Sequence, residues 1–189
     1  MKKIIEKLIT EKLINPVLHS TAPVSEVSLG VAVGVFLGLT PTVGLQMYLV
    51  ALIWSIYRYI FCRHFNLPVG VAMVWISNPL TMVPLYYLFL LTGYWLLETQ
   101  NGLSYELFGE YLSHISSTEG TWEMIVAGMR FFLIDLGWPM IIGSFVYAVP
   151  GFIISYFMTK RIVTSHRKTK ASLEGMSYED WRTLKETQH

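Results

Sequence analysis

From Val27 to Tyr57 the chain carries no charged side chain. Such a run exceeds the roughly 20 residues that carry a helix across about 30 Å of hydrocarbon. Its centre, however, reads Gly38-Leu-Thr40-Pro41-Thr42-Val-Gly44-Leu-Gln46. Proline removes a backbone donor and displaces the bond one turn back. Glycine opens backbone angles closed to other residues. Before the break, Ser28–Leu39 reaches only about 18 Å at 1.5 Å per residue, and after it Leu45–Ile60 reaches about 24 Å. The pattern predicts a broken helix or a helical hairpin, not one plain crossing.

Two further charge-free runs follow, 65–97 and 136–159. With 53% hydrophobic and 14% charged residues, against about a quarter charged in a soluble domain, the three runs predict an all-α, polytopic membrane protein. The second run repeats the plan of the first. Leu67–Ile76 is short, Ser77-Asn78-Pro79-Leu-Thr81-Met-Val-Pro84 is a polar interruption, and Leu85–Leu97 is apolar again. Laying Val31 on Val69 also aligns Val33 with Val71, Pro41 with Pro79, Tyr48 with Tyr86 and Leu52 with Leu90, as a duplication would. Paired interrupted segments mark binding sites in transporter folds. The third run holds Pro139 and Pro150-Gly151, and Pro150 predicts a kink.

The flanks set the expected topology. Residues 1–15 alternate Lys and Glu with an Ile/Leu stripe, an amphipathic interfacial helix closed by Asn15-Pro16. The membrane domain spans 16–160. Residues 161–189 form a basic tail, in which Ser177-Tyr-Glu-Asp180 starts a short helix with Trp181 and Leu184 on one face. Basic residues favour the cytoplasm, which puts both termini inside. The link with Arg58 and Arg63 also falls inside, and the Glu-rich loop 98–130 outside. Run 27–57 then enters and returns as a hairpin, while 65–97 and 136–159 cross. Asp135, five residues from Arg130, reads as an interfacial pair or an ionisable group at depth.

In lipid every backbone polar group needs a partner. The breaks free amides and carbonyls, so Thr40, Pro41, Thr42, Gly44 and Gln46, with Ser77, Asn78, Pro79, Thr81 and Pro84, are the candidate ligand-binding residues. Half-helix N-termini after each break suit an anion such as a phosphate headgroup. The alternative is that these side chains only cap broken helices. Gly30, Gly34 and Gly38 form a helix-packing stripe. A net charge of +1 gives no field for nucleic acid, and a single cysteine allows no internal disulfide. No metal-ligand pair, nucleophile elbow, P-loop or metalloprotease helix occurs. No enzyme activity, metal or cofactor is expected.

The motif G-x-F-x-G-x-x-P-x-x-G-x-Q at Gly34–Gln46, followed by N-P-x-T-x-x-P-x-Y at Asn78–Tyr86, closely resembles the bacterial DUF2062 family over residues 15–160. The resemblance implies a small, uncharacterised, multi-pass protein of the bacterial inner membrane. Some members are fused to glycosyltransferase-like domains, which implies cell-envelope carbohydrate or lipid-carrier work. The paired loops also resemble the re-entrant hairpins of DedA-type lipid transporters. Two functions follow as expectations. One is a transporter, flippase or channel-like protein for an ion or lipid phosphate headgroup, with its site between the breaks. The other is a non-transporting scaffold or partner subunit for cell-envelope enzymes. The expected partners are the lipid bilayer and a second copy or another membrane protein.

Overall fold

The computed structural model describes residues 14–42, 45–77, 79–98 and 137–186. Among them every regular element is helical: α1 (Asn15–Leu18), α2 (Val24–Gly38), α3 (Gln46–Phe61), α4 (Leu67–Met73) with a 3-10 turn at Val74–Ile76, α5 (Pro79–Leu96), α6 (Gly137–Leu173) and α7 (Tyr178–Glu186). The chain divides into two compact units, 1–78 with 148–189, and 79–147. Residues 1–13 of the interfacial helix expected over 1–15, residues 99–130 of the external loop expected over 98–130, and Asp135 lie outside the described residues.

The first unit is built around α2, which is apolar on all sides and buried nearly all round, as such a helix must be. Val27, Val31 and Val35 pack with Val69 and Val163 on one side; Val33 and Leu37 pack with Val50, Phe65 and Val74 on the other. The glycine stripe sets the closest contact. Gly30 lies on Asn66, Gly34 on Gly70 and Gly38 on Val74. The pairs advance together, so α2 and α4 run parallel, backbone against backbone. A methyl at Gly30 would sit 2.5 Å from the Asn66 carbonyl oxygen, and one at Gly34 would collide with the Gly70 carbonyl. Small residues are what permits helices this close approach.

α3 packs beside both and runs antiparallel to them. Val50 touches Gly70, the Trp54 Nε1 donates to the Phe65 carbonyl at 3.0 Å, and the Tyr57 and Phe65 rings lie 6.2 Å apart. The opposite face of α3 is bare and apolar: Tyr48, Leu52, Ile56, Tyr59 and Ile60 are all exposed. Cys62 ends the helix in the left-handed region at φ 50°, a conformation that costs a non-glycine residue about 1 kcal/mol. Asn66 then starts α4. Its side chain accepts from the Val69 amide at 3.1 Å and donates to the Ser20 hydroxyl at 2.8 Å, while its own amide donates to the Glu26 carbonyl at 3.0 Å.

α6 returns antiparallel to α2. Gly151 lies against Leu39 and Val35, Phe152 meets Phe36 edge-on at 6.3 Å, Val163 joins Val27, and Arg167 reaches the Ser20 carbonyl. This helix has 37 residues with Pro150 inside, and it is long and apolar enough to cross a membrane. Only 17% of its most apolar 18-residue window is buried within the protein. Phe145, Val149, Ile153 and Phe157 repeat at helical spacing on the exposed side, which in water would be a large uncovered apolar strip.

Helix boundaries differ from expectation in three places. α6 does not end at Thr159 but continues through the basic stretch to Leu173, because Val163, Arg167 and Ala171 keep one face packed. Asn15-Pro16 opens a short helix instead of closing one; a proline in the first turn has no bond to lose. The second interruption is much shorter than the polar stretch Ser77–Pro84. α5 starts at Pro79, so Thr81 and Pro84 are helical. Pro79 fits the first helical position, and Pro84 forfeits the single bond to Leu80.

In the second unit α5 and the start of α6 pack antiparallel. Gly93 lies on the Pro139 backbone and Gly143 on the Phe89 backbone. Phe89 and Tyr147 stack at 5.7 Å, and the Tyr147 hydroxyl shares a 2.8 Å bond with the Thr92 hydroxyl.

Gly175 at φ +70° ends α6, with the Met176 amide reaching back to the Ala171 carbonyl at 3.0 Å. α7 begins where its capping signal lies: the Ser177 hydroxyl accepts from the Asp180 amide at 3.2 Å and donates to the Asp180 carboxylate at 2.7 Å. Trp181 is buried, while Leu184 is exposed.

Candidate functional site

The break between α2 and α3 is a compact, self-bonded turn. The Thr40 hydroxyl donates to the Leu37 carbonyl at 2.7 Å and shares a 3.0 Å bond with the Thr42 hydroxyl. The Thr42 amide donates to the Thr40 carbonyl at 2.8 Å and the Leu45 amide to the Thr42 carbonyl at 3.0 Å. Gln46 opens α3 and donates from Nε2 to the Thr40 carbonyl at 3.4 Å. Thr40 and Gln46 are buried, 8% and 5% exposed; Pro41 and Thr42 are half-buried. Local bonding therefore absorbs much of the polarity that Pro41 and the glycines release, which is the capping role of these residues. Gly44 lies outside the described residues.

The parallel packing of α2 and α4 brings the second segment to the same end of the unit. Gly38 sits 3.3 Å from the Val74 carbonyl, measured from the position a methyl would take. Ser77, whose amide donates to that same carbonyl at 3.1 Å, closes α4 beside the α2–α3 break. Its hydroxyl is buried and has no hydrogen-bond partner among the described residues. Of the second motif only Ser77 can be assigned to this cluster. Asn78 lies outside the described residues, and Pro79, Thr81 and Pro84 belong to the second unit.

Every charged side chain described in the first unit lies away from this break. Glu26, Arg58, Arg63 and Arg167 all fall at the start of α2, the α3–α4 turn or the far end of α6. There Glu26 Oε2 meets His64 Nε2 at 3.3 Å, beside an open cleft of about 740 Å³ lined by Tyr57, Cys62, Arg63 and Tyr156. Arg167 is 3% exposed and clamps the α1–α2 link, with Nη2 donating to the carbonyls of Ser20 at 2.8 Å and Ala22 at 2.6 Å. Neither Asn66 nor Arg167 is among the site residues expected from the sequence. Asn66-Leu-Pro68 is a legible helix start, but nothing local marks Arg167. Among the described residues no three His, Cys, Asp or Glu side chains converge as a metal site would require.

No curated protein and no solved structure shows a significant match to the chain. A family described as uncharacterized proteins conserved in bacteria matches the chain over residues 6–172. It takes in α2, the break, α4, α5 and nearly all of α6. The chain belongs to the DUF2062 family.

Proposed function

We propose that this protein is a multi-pass inner-membrane transporter, flippase or channel-like protein for an ion or a lipid phosphate headgroup. The α2–α3 hairpin is re-entrant and carries its polar turn to the middle of the bilayer. One register supports this. Leu39 lies beside Gly151 on α6, and Lys160 is the first charge that α6 meets after its apolar stretch. The rise from Gly151 to Lys160 is about 14 Å at 1.5 Å per residue, close to half of a hydrocarbon core of about 30 Å. The one-sided charge of the unit fits a hairpin that enters and leaves by the same face. By the bias of basic residues that face is cytoplasmic, with both termini on it. Irregular backbone is tolerated at such depth only when buried in protein or lining a cavity. The Ser77 hydroxyl beside the turn, buried without a hydrogen-bond partner among the described residues, supports a ligand there. The bare faces of α3 and α6 are covered by lipid or by a second membrane subunit.

Reconstitution tests this reading. Proteoliposomes should scramble a headgroup-labelled phospholipid or pass an ion faster than empty vesicles. Gln46→Ala and Ser77→Ala should each lower the rate about tenfold, the scale of one lost hydrogen bond to a charged group. Wild-type flux equal to that of empty vesicles for both cargoes would contradict it.

A second reading, a scaffold for envelope enzymes, is favoured by the internal bonding of Thr40 and Gln46. It requires that Gln46→Ala leave function intact and that loss of α7 abolish it.

A further inference from the structure

At the end of the first unit opposite the break, the α1–α2 link, the end of α6 and α7 enclose a cleft of about 210 Å³. That is below the 300–1,000 Å³ typical of drug-sized ligands, so it suits a small group. His19, His166, Lys170, Glu174, Trp181 and Lys185 line it. Arg167 also borders it, but two of its N–H bonds already go to backbone carbonyls.

Two of the lining residues hold a buried polar atom without a hydrogen-bond partner among the described residues: Trp181 at Nε1 and His166 at Nε2. Trp181 as a whole is 9% exposed. An indole N–H can only donate, and burying it without an acceptor is costly. The two lysines also only donate. No ion pair joins either of them to Glu174 among the described residues, so two ammonium groups and one carboxylate line the cleft without pairing there. The wall asks for acceptor oxygens carrying negative charge.

We propose that this cleft binds a phosphate group, with the Trp181 Nε1–H, Lys170 and Lys185 as donors and Arg167 holding the cleft's far wall in place. Charge-assisted bonds of this kind are the strong ones. The phosphate has two possible sources. From Lys160 to His166 and Lys170 the helix rises about 9 and 15 Å. That carries the cleft to the outer edge of the headgroup layer, where an anionic lipid headgroup and a soluble phosphate can both reach it.

The full chain, labelled with ¹⁵N at its tryptophan indoles, distinguishes them. The Trp181 indole resonance is assigned by its loss in Trp181→Phe. It should move downfield when inorganic phosphate is titrated into protein in a neutral detergent, or when the protein passes from phosphatidylcholine to phosphatidylglycerol nanodiscs. A shift with phosphate alone identifies a soluble ligand, and a shift with phosphatidylglycerol alone identifies a lipid. In either case Lys170→Gln/Lys185→Gln should weaken the response at least tenfold. No Trp181 shift under either condition, or an unchanged response in the double variant, overturns the proposal. Neither result bears on transport through the α2–α3 break, which the flux experiment reads separately.

Discussion

Replacing Gly34 or Gly93 by valine should lower the stability of the folded protein by about 3 kcal/mol or more. At Gly34 the first added carbon would collide with the Gly70 carbonyl and stand 2.7 Å from the Met73 β-carbon. At Gly93 it would collide with the Pro139 carbonyl and stand 2.9 Å from the Pro139 α-carbon. These obstacles are backbone and near-backbone atoms of a neighbouring helix, so a whole helix must move. Overpacking of that kind costs about 3 kcal/mol or more, out of a total stability of about 5–15 kcal/mol. The stripe also predicts a gradient. Gly30→Ala, 2.5 Å from the Asn66 oxygen, should be intermediate, and Gly38→Ala, 3.3 Å from the Val74 oxygen, should cost about 1 kcal/mol or less. Thermal unfolding in detergent, followed by the monodisperse fraction, measures the series. Equal stability across Gly30, Gly34 and Gly38 would mean that α2 and α4 do not touch through this face.

Arg167→Met should be the most damaging substitution in the basic stretch. It removes two charge-assisted bonds, to the carbonyls of Ser20 and Ala22, each worth about 1.5–3 kcal/mol. A loss of about 3 kcal/mol is expected, with Arg167→Lys retaining part of it. Lys168→Met is the control. Lys168 is exposed, and its ammonium sits 5.9 Å from the Tyr178 ring, a contact worth about 0.5–1 kcal/mol. Comparable unfolding midpoints for Arg167→Met and Lys168→Met would refute the clamp.

The contrast between Arg167 and Lys168 shows where the sequence stops being legible. Neighbours in one basic run look alike in one dimension. What separates them is partners 147 and 145 residues earlier in the chain. The first break was legible for the opposite reason. Pro41 with glycines on both sides is a local interruption, and the segments flanking it are too short to span, so the helix ends at Gly38 and resumes at Gln46. Ser77–Pro84, with two prolines and no glycine, also reads as a polar interruption, yet α5 begins at Pro79. Whether a proline breaks a helix or begins one depends on where the helix starts, and packing decides that start. Asn15-Pro16 reads as a helix end and opens a helix for the same cause. The glycine stripe of α2 marked a packing face without naming its partner; the partner is α4, running parallel. Trp181 and Leu184 share a helical face in sequence, but only the tryptophan is buried, where it lines a cleft with residues of α6 and the α1–α2 link.

The central claim is that the α2–α3 turn sits in mid-bilayer and is reached from one side. It is tested most directly with a nitroxide at position 45, introduced as Leu45→Cys in a Cys62→Ser background. Leu45 is exposed at the turn, and Cys62, the single cysteine, provides the reference label in the wild type. In liposomes, collision rates with oxygen and with a water-soluble nickel chelate report depth. The re-entrant hairpin predicts a label at position 45 within a few ångströms of the bilayer centre and one at position 62 at the cytoplasmic surface. A label at position 45 that meets the nickel chelate freely, from the side opposite to Cys62, would make α2 or α3 a crossing helix and contradict the account.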